Sequence, residues 1–341
     1  MKKLASLGVV VLLAACGGPS PSLQNQAGSP LAASSTSNPL DAARAVAHVA
    51  YLTEPALAGR MTASEGDALA NTYLAEQFRK LGLEVTLQPF TNPRFSGTAY
   101  NVIAVLKGSE RPDRYVVVGA HKDHLGKRGN TIYFGANDNA GGTAAVLEIA
   151  RVMSERAKAG QGPKSSVMFM AFSGEELGLI GSTHYTRNPI VPTSEGAKAI
   201  TLKQIAGMVN LDCIAVGKTD TLGTDWVGTG AKSMDALTAI ARRRGMTPYY
   251  GEFKVPHGER DHAHEELPSG ASSDHAAFRK AGVRAICYYA EPVFSKYLHT
   301  PDDTLPERDR VPKAEADRFN PANLVRIGAI GLDTATLWAN E

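Results

Sequence analysis

This chain has no large excess of charge of either sign. Thirty-six lysines and arginines face 34 aspartates and glutamates, and the formal net charge is +2. Lys2 and Lys3 account for that excess. No long basic run occurs, so nothing suggests a nucleic-acid partner. Cysteine is scarce, with three in 341 residues. Cys213 and Cys287 sit in apolar, strand-like runs, where a buried free thiol is the default reading. A disulfide between them is not readable from sequence. There is no internal repeat and no internal linker. The apolar stretch from Leu4 to Leu13 is too short for an ordinary transmembrane helix. What the chain does have is 43% hydrophobic content, ample for a sizeable core.

The first residues read as a targeting segment. Met1-Lys2-Lys3 is a basic start, and the apolar stretch ends in Leu13-Ala14-Ala15-Cys16. That tetrapeptide resembles a bacterial lipoprotein cleavage box. The resemblance implies a signal peptide over 1–15, cleavage before Cys16 and lipidation of Cys16. A Ser/Pro/Ala-rich tract follows, as a flexible tether over 16–39 would. Gly17 stands where an aspartate would suggest inner-membrane retention. The expected location is the cell envelope, at the outer membrane, held by the lipid.

Residues 40–341 read as one domain. Leu40 to Thr53 has helical spacing. Ser64-Glu65-Gly66-Asp67 resembles a capping box, opening a helix with Leu69, Tyr73, Leu74, Phe78 and Leu81 on one face. Gly82 ends it. Strands are expected at Val85–Gln88, Tyr100–Leu106 and Tyr115–Gly119. Helical and strand patterns then alternate up to a last helix over about Asn323–Trp338. The fold class is α/β, with a mixed, mostly parallel central sheet and helices on both faces.

Several strand-like runs stop at metal-ligand residues. Tyr115–Ala120 runs into His121-Lys122-Asp123-His124. Val167–Phe172 runs into Ser173-Gly174-Glu175-Glu176. Met208–Leu211 ends at Asp212. Val283–Tyr289 leads through a loop to His299. A small-residue loop, Gly135–Gly142, carries Asp138 just before a helical run from Thr143 to Arg156. In open α/β sheets ligands bind beyond the carboxyl ends of the strands. His121, Asp138, Glu176, Asp212 and His299 offer imidazole and carboxylate, a donor set that suits zinc. Five ligands are one too many for a single tetrahedral catalytic ion. They fit two ions if one carboxylate bridges, each ion then taking one histidine and one further carboxylate.

The same motifs resemble those of the co-catalytic zinc aminopeptidases, the family of bacterial leucyl aminopeptidases and aminopeptidase Y, distantly related to glutamate carboxypeptidase. Gly119-Ala120-His121-Lys122-Asp123-His124, Gly135-Ala136-Asn137-Asp138-Asn139-Ala140, Ser173 to Ser182, Asn210-Leu211-Asp212, Ser272-Ser273-Asp274-His275 and His299 to Thr304 match in order. The likeness covers about residues 45–335. It implies a three-layer zinc-exopeptidase sandwich, two zinc ions and peptide substrates. Asp138 would be the bridge, with His121 and Asp212 on one ion and Glu176 and His299 on the other. Glu175 would be the general base. Asp123 would accept from His121 and fix its tautomer. Asp274 and His275 would line the substrate pocket.

Departures accompany the likeness. A protease-associated insert has no room between Val85–Leu87 and Tyr100–Leu106. The tyrosine that helps an oxyanion in several relatives is missing from Pro268–Ser273, which leaves a serine, a tyrosine from another loop or zinc alone to serve; Tyr288, Tyr289 and Tyr297 are candidates only by sequence proximity. Lys122 stands where relatives often carry an aromatic residue. A second polar cluster, His257, Asp261, His262, His264, Glu265 and Glu266, reads as a solvated loop. His48 and His184 read as surface or core residues. The expected activity is zinc-dependent aminopeptidase. The alternatives are a carboxypeptidase, a glutaminyl-cyclase-like enzyme, or a non-catalytic binding lipoprotein on the same scaffold. Oligomeric state is not legible.

Overall fold

The structure is a computed structural model that describes residues 38–218, 220–225, 231–250, 273–290 and 295–341. Cys16, the targeting segment and the polar cluster from His257 to Glu266 lie outside the described residues. Residues 36–341 form one compact unit.

In chain order the helices are α1 (Ala42–Leu52), α2 (Glu65–Lys80), α3 (Gly142–Lys158), α4 (Ile180–Arg187), α5 (Ala231–Arg243), α6 (His275–Lys280) and α7 (Pro321–Asn340). The strands are β1 (Glu84–Phe90), β2 (Ala99–Leu106), β3 (Arg111–His121), β4 (Lys127–Arg128), β5 (Thr131–Ile132), β6 (Ser165–Phe172), β7 (Ile190–Thr193), β8 (Gly196–Ala199), β9 (Ile205–Leu211), β10 (Thr221–Asp225), β11 (Thr247–Tyr250) and β12 (Ala285–Ala290). Eight strands form the main sheet in the order β1-β2-β6-β3-β9-β12-β10-β11. Its centre, β6-β3-β9-β12, is parallel, and the antiparallel pairs are β1/β2, β2/β6 and β12/β10.

Side chains alternate along a strand, so one strand feeds two cores. Val116, Val118 and Ala120 of β3, with Val167, Phe169 and Ala171 of β6, pack with Leu74 and Phe78 of α2, Ile149 of α3 and Ile327 of α7. Val117 of β3 and Met168, Met170 and Phe172 of β6 turn to the other face, against Tyr185 of α4 and Phe278 of α6. The helical layers on both faces follow from that alternation. Phe169 is fully buried, and truncating such a ring to alanine typically costs about 3–5 kcal/mol.

The helix starts are chemically marked. Ser64 accepts from Asp67 N at the head of α2. Asp67 reaches back to Ala63 N rather than to the cap residue's own N–H, at 3.1 Å, so the expected capping box is offset by one residue. Asn320 caps α7, with Pro321 in its first turn. This helix begins two residues before its hydrophobic pattern does.

Candidate metal centre

β3, β6 and β9 are parallel neighbours, so their carboxyl ends share one edge of the sheet. His121 is the last residue of β3 and pairs across with Phe172, the last of β6. Beyond Phe172 the chain turns at Gly174, whose φ is +75°, a conformation glycine adopts freely. That turn brings Glu175 and Glu176 over the strand ends. Asp212 follows β9 directly. Asp138 comes from an irregular turn, Ala136–Gly141, ahead of α3, where its own backbone leaves helical values. His299 comes from the loop after β12.

The five side chains converge. Asp138 Oδ1 lies 3.3 Å from His121 Nε2, and Asp138 Oδ2 lies 3.1 Å from His299 Nε2. His121 Nε2 also faces Asp212 Oδ1 at 3.4 Å, and His299 Nε2 faces Glu176 Oε2 at 3.3 Å. Glu175 Oε2 is 4.0 Å from His121 Nε2. The arrangement is two histidine–carboxylate pairs joined by one shared carboxylate, with Glu175 beside it.

Supporting contacts hold the donors. Ser273 Oγ donates to Asp212 Oδ2 at 2.6 Å and accepts from Asn210 Nδ2 at 2.7 Å. Asp303 accepts the main-chain N–H groups of Asn137 and Asp138, both at 2.9 Å. His124 Nδ1 sits 2.7 Å from Glu176 Oε1. Arg60 is fully buried and donates to the carbonyls of Leu52, Lys122, Phe134 and Gly135. It therefore ties the end of α1 and the end of β3 to the loop that carries Asp138.

Asp123 differs from expectation. His121 Nδ1 meets its backbone carbonyl at 3.2 Å, whereas its carboxylate is 3.8 Å away. The carboxylate instead accepts from Thr62 Oγ1 at 2.8 Å and from Glu175 N at 3.3 Å. The tautomer is fixed through the main chain, and the carboxylate positions the Glu175 backbone. His275 also departs from the expected pocket role, since its Nε2 turns to Asp225 Oδ2 at 3.0 Å. Asp274 is buried, and among the described residues neither carboxylate oxygen has a well-formed hydrogen bond. Of the three tyrosines, Tyr288 spends its hydroxyl on Thr334 at 2.8 Å and Tyr297 on Pro312 O. Tyr289 packs beside Cys213 and Leu298, next in sequence to Asp212 and His299. Cys213 and Cys287 are free, buried thiols. His48 meets Tyr73 Oη and His184 stacks on Phe90, both apart from the centre.

The electrostatics favour a cation. Burial pushes Glu175 up, and with Glu176, Asp212 and Asp274 nearby its pKa lies well above the usual carboxylate range. Burial opposes charge on His121 too, but Glu175 and Asp212 outweigh it and hold that pKa well above the ordinary value. Burial also works against the Asp138 carboxylate, yet hydrogen bonds from His121 and His299 keep it well below its usual range. Among the described residues no lysine or arginine pairs with Asp138, Glu175, Glu176 or Asp212. Among the described residues Asp212 Oδ1 is buried with no hydrogen-bond partner, His121 Nε2 being its neighbour at 3.4 Å. Buried charge of this kind needs a counter-charge, and imidazole with carboxylate is a donor set that takes zinc. The residues fit a divalent metal.

The description of peptidase family M28 matches residues 101–320. The chain belongs to that family. A curated relative, leupeptin-inactivating enzyme 1 of Streptomyces exfoliatus, is 31% identical over 258 residues, covering 75% of this chain and 50% of that one. The chain thus spans about half the length of that relative. The LapA aminopeptidase of Legionella pneumophila superposes with a TM-score of 0.66 at 16% identity, covering 89% of this chain and 70% of that one. BSAP, a zinc aminopeptidase from Bacillus subtilis, superposes with a TM-score of 0.64 at 17% identity, covering 89% and 95%. At such identities the structural likeness is one of fold, and it agrees with the mixed, mostly parallel sheet of this M28 chain.

Proposed function

We propose that this protein is a zinc-dependent aminopeptidase that removes N-terminal residues from peptides. The observation that carries the reading is the split use of Asp138, one carboxylate oxygen toward each of two histidines, each of which has a further carboxylate of its own. His121 and Asp212 would hold one zinc ion, His299 and Glu176 a second, and Asp138 both. When bound, the pair would supply Lewis acidity to polarise the scissile carbonyl and lower the pKa of the attacking water.

Glu175 takes the proton of that water and returns it to the leaving amine. Its backbone is held by Asp123 and its side chain lies beside His121. The surrounding carboxylates favour a substrate with a free, cationic α-amine. Family membership and the aminopeptidase names of the structural relatives support the same reading.

Mass analysis of a peptide digest tests it, run with zinc-loaded full chain on free and N-acetylated forms of one peptide. Stepwise loss of residues from the free form alone is expected. Cleavage of both forms, or loss from the carboxyl end, would contradict it. Metal analysis should return two zinc ions per chain.

Cys16 is proposed as a lipid anchor to the bacterial outer membrane, on the strength of the Leu13–Cys16 box and the tract that follows it. Cys16→Ser should move the protein from the membrane fraction to the soluble one; an unchanged membrane fraction would argue against the anchor.

A further inference from the structure

Lys122 lies between His121 and Asp123, and its side chain is fully buried. Continuing the alternation of β3, it falls on the face that carries α2. There its Nζ donates to Asp67 Oδ1, in the first turn of α2. Ser173, the first residue after β6, donates its hydroxyl to the same carboxylate, 3.2 Å from either oxygen. Ala63 N completes the set on Asp67 Oδ2. Asp67 and Ser173 are as buried as Lys122.

Stability alone does not explain such a pair. Desolvating two charges generally offsets their attraction, and apolar replacements of similar volume are often as stable. Geometry offers a reason. Lys122 N bonds Phe172 O at 2.8 Å, and after that rung the ends of β3 and β6 part. One carries on to Asp123 and His124, the other to Glu175 and Glu176. At that point the Asp67 carboxylate takes one donor from each end.

We propose that Asp67, Lys122 and Ser173 form a clamp that sets the spacing between His121 and Glu175, so that they are positioning residues for the reaction. The inference rests on the zinc aminopeptidase reading. A small error in placement at a reacting centre is costly, since about 1 Å can lower the rate ~100-fold.

The test compares Lys122→Met, Asp67→Leu and the double variant in the full chain, reading Tm, zinc affinity by competition with a chromogenic chelator, and kcat and KM on leucyl-nitroanilide. Each single variant strands a buried charge or leaves buried donors unpaired, and should lower Tm and kcat together. The double variant should regain Tm to within about 4 °C, while kcat stays down ~10-fold or more with KM within about twofold. Its zinc affinity should fall ~10-fold. A double variant with wild-type kcat and zinc affinity would overturn the proposal. Should the double variant not fold, Ser173→Ala leaves the ion pair in place. It should lower kcat ~3–10-fold, and Ser173→Thr should restore it; an unaffected Ser173→Ala would also overturn the clamp. If the wild-type protein cleaves no peptide, the aminopeptidase reading fails instead, and zinc affinity still decides the clamp.

Discussion

Asp303 accepts the main-chain N–H of Asp138 at 2.9 Å and thereby holds the shared carboxylate over the strand ends. Its second oxygen takes Asn137 N. Burial pushes the Asp303 carboxyl up, against the pull of His124 and the two backbone donors. Removing it leaves two N–H groups unsatisfied in a buried turn.

Asp303→Ala is therefore expected to destabilise the metal-free protein by about 2–6 kcal/mol, given ~1–3 kcal/mol for each of two buried groups left unpaired. Urea unfolding reads the stability. Zinc affinity should fall ~10–100-fold, as it does when residues that orient ligands are removed. Wild-type affinity in this variant would show that the turn holds Asp138 without the carboxylate.

Ser273→Ala deletes a hydrogen bond to Asp212 without adding bulk. On the proposed two-zinc arrangement, the expected result is a selective loss of one of two zinc equivalents in chelator titrations, with affinity down ~10–100-fold for the ion assigned to His121 and Asp212. Equal weakening of both equivalents would argue against separate seats.

Glu175→Gln keeps the shape of the site and removes the proton acceptor. Zinc content should stay normal while kcat falls by ~10²–10⁴, the usual range for general acid–base catalysis. A turnover close to wild type would take Glu175 out of that role.

Asp225 gives a pH signature. Burial pushes its carboxyl up, but hydrogen bonds from His275 and the nearby Arg279 outweigh this and bring its pKa to about 2, from 3.8. The folded state thus favours the carboxylate. The stability it contributes is complete above the unfolded value and is lost as pH falls from 3.8 through about 2. In urea titrations the gap between wild type and Asp225→Asn should narrow over that interval. A gap that stays constant would mean the pair contributes nothing through ionisation.

Much of the fold was legible where side-chain pattern and packing coincide. Apolar runs such as Val167–Phe172 are strands buried on both faces, and candidate donor residues follow them, at once after β9 and through a turn or loop after β6 and β12. The grouping of His121, Asp138, Glu176, Asp212 and His299 was legible because each stands at a strand end or in a loop leading to that edge, and the structure brings their side chains to within 3.1–3.4 Å of one another in pairs. Less was legible where one residue serves two elements. Asp67 reads as part of a helix cap, yet its carboxylate also serves Lys122 and Ser173, partners 55 and 106 residues away. Asp123 was assigned to the right partner through the wrong group, because sequence does not say whether carbonyl or carboxylate accepts. Tyr288 lies near the site in sequence, but strand alternation turns it to Thr334. The start of β3 at Arg111 and of α7 at Pro321 lie outside the apolar pattern, being set by pairing and by a cap.

The most direct measurement is hydrolysis of leucyl-nitroanilide and its N-acetylated form by the full chain, before chelation, after it and after zinc is restored. The account predicts cleavage of the free-amine substrate alone, abolished by chelator and recovered with zinc. Cleavage that survives complete metal removal, or a zinc-loaded protein inert toward every free-amine substrate, would contradict it.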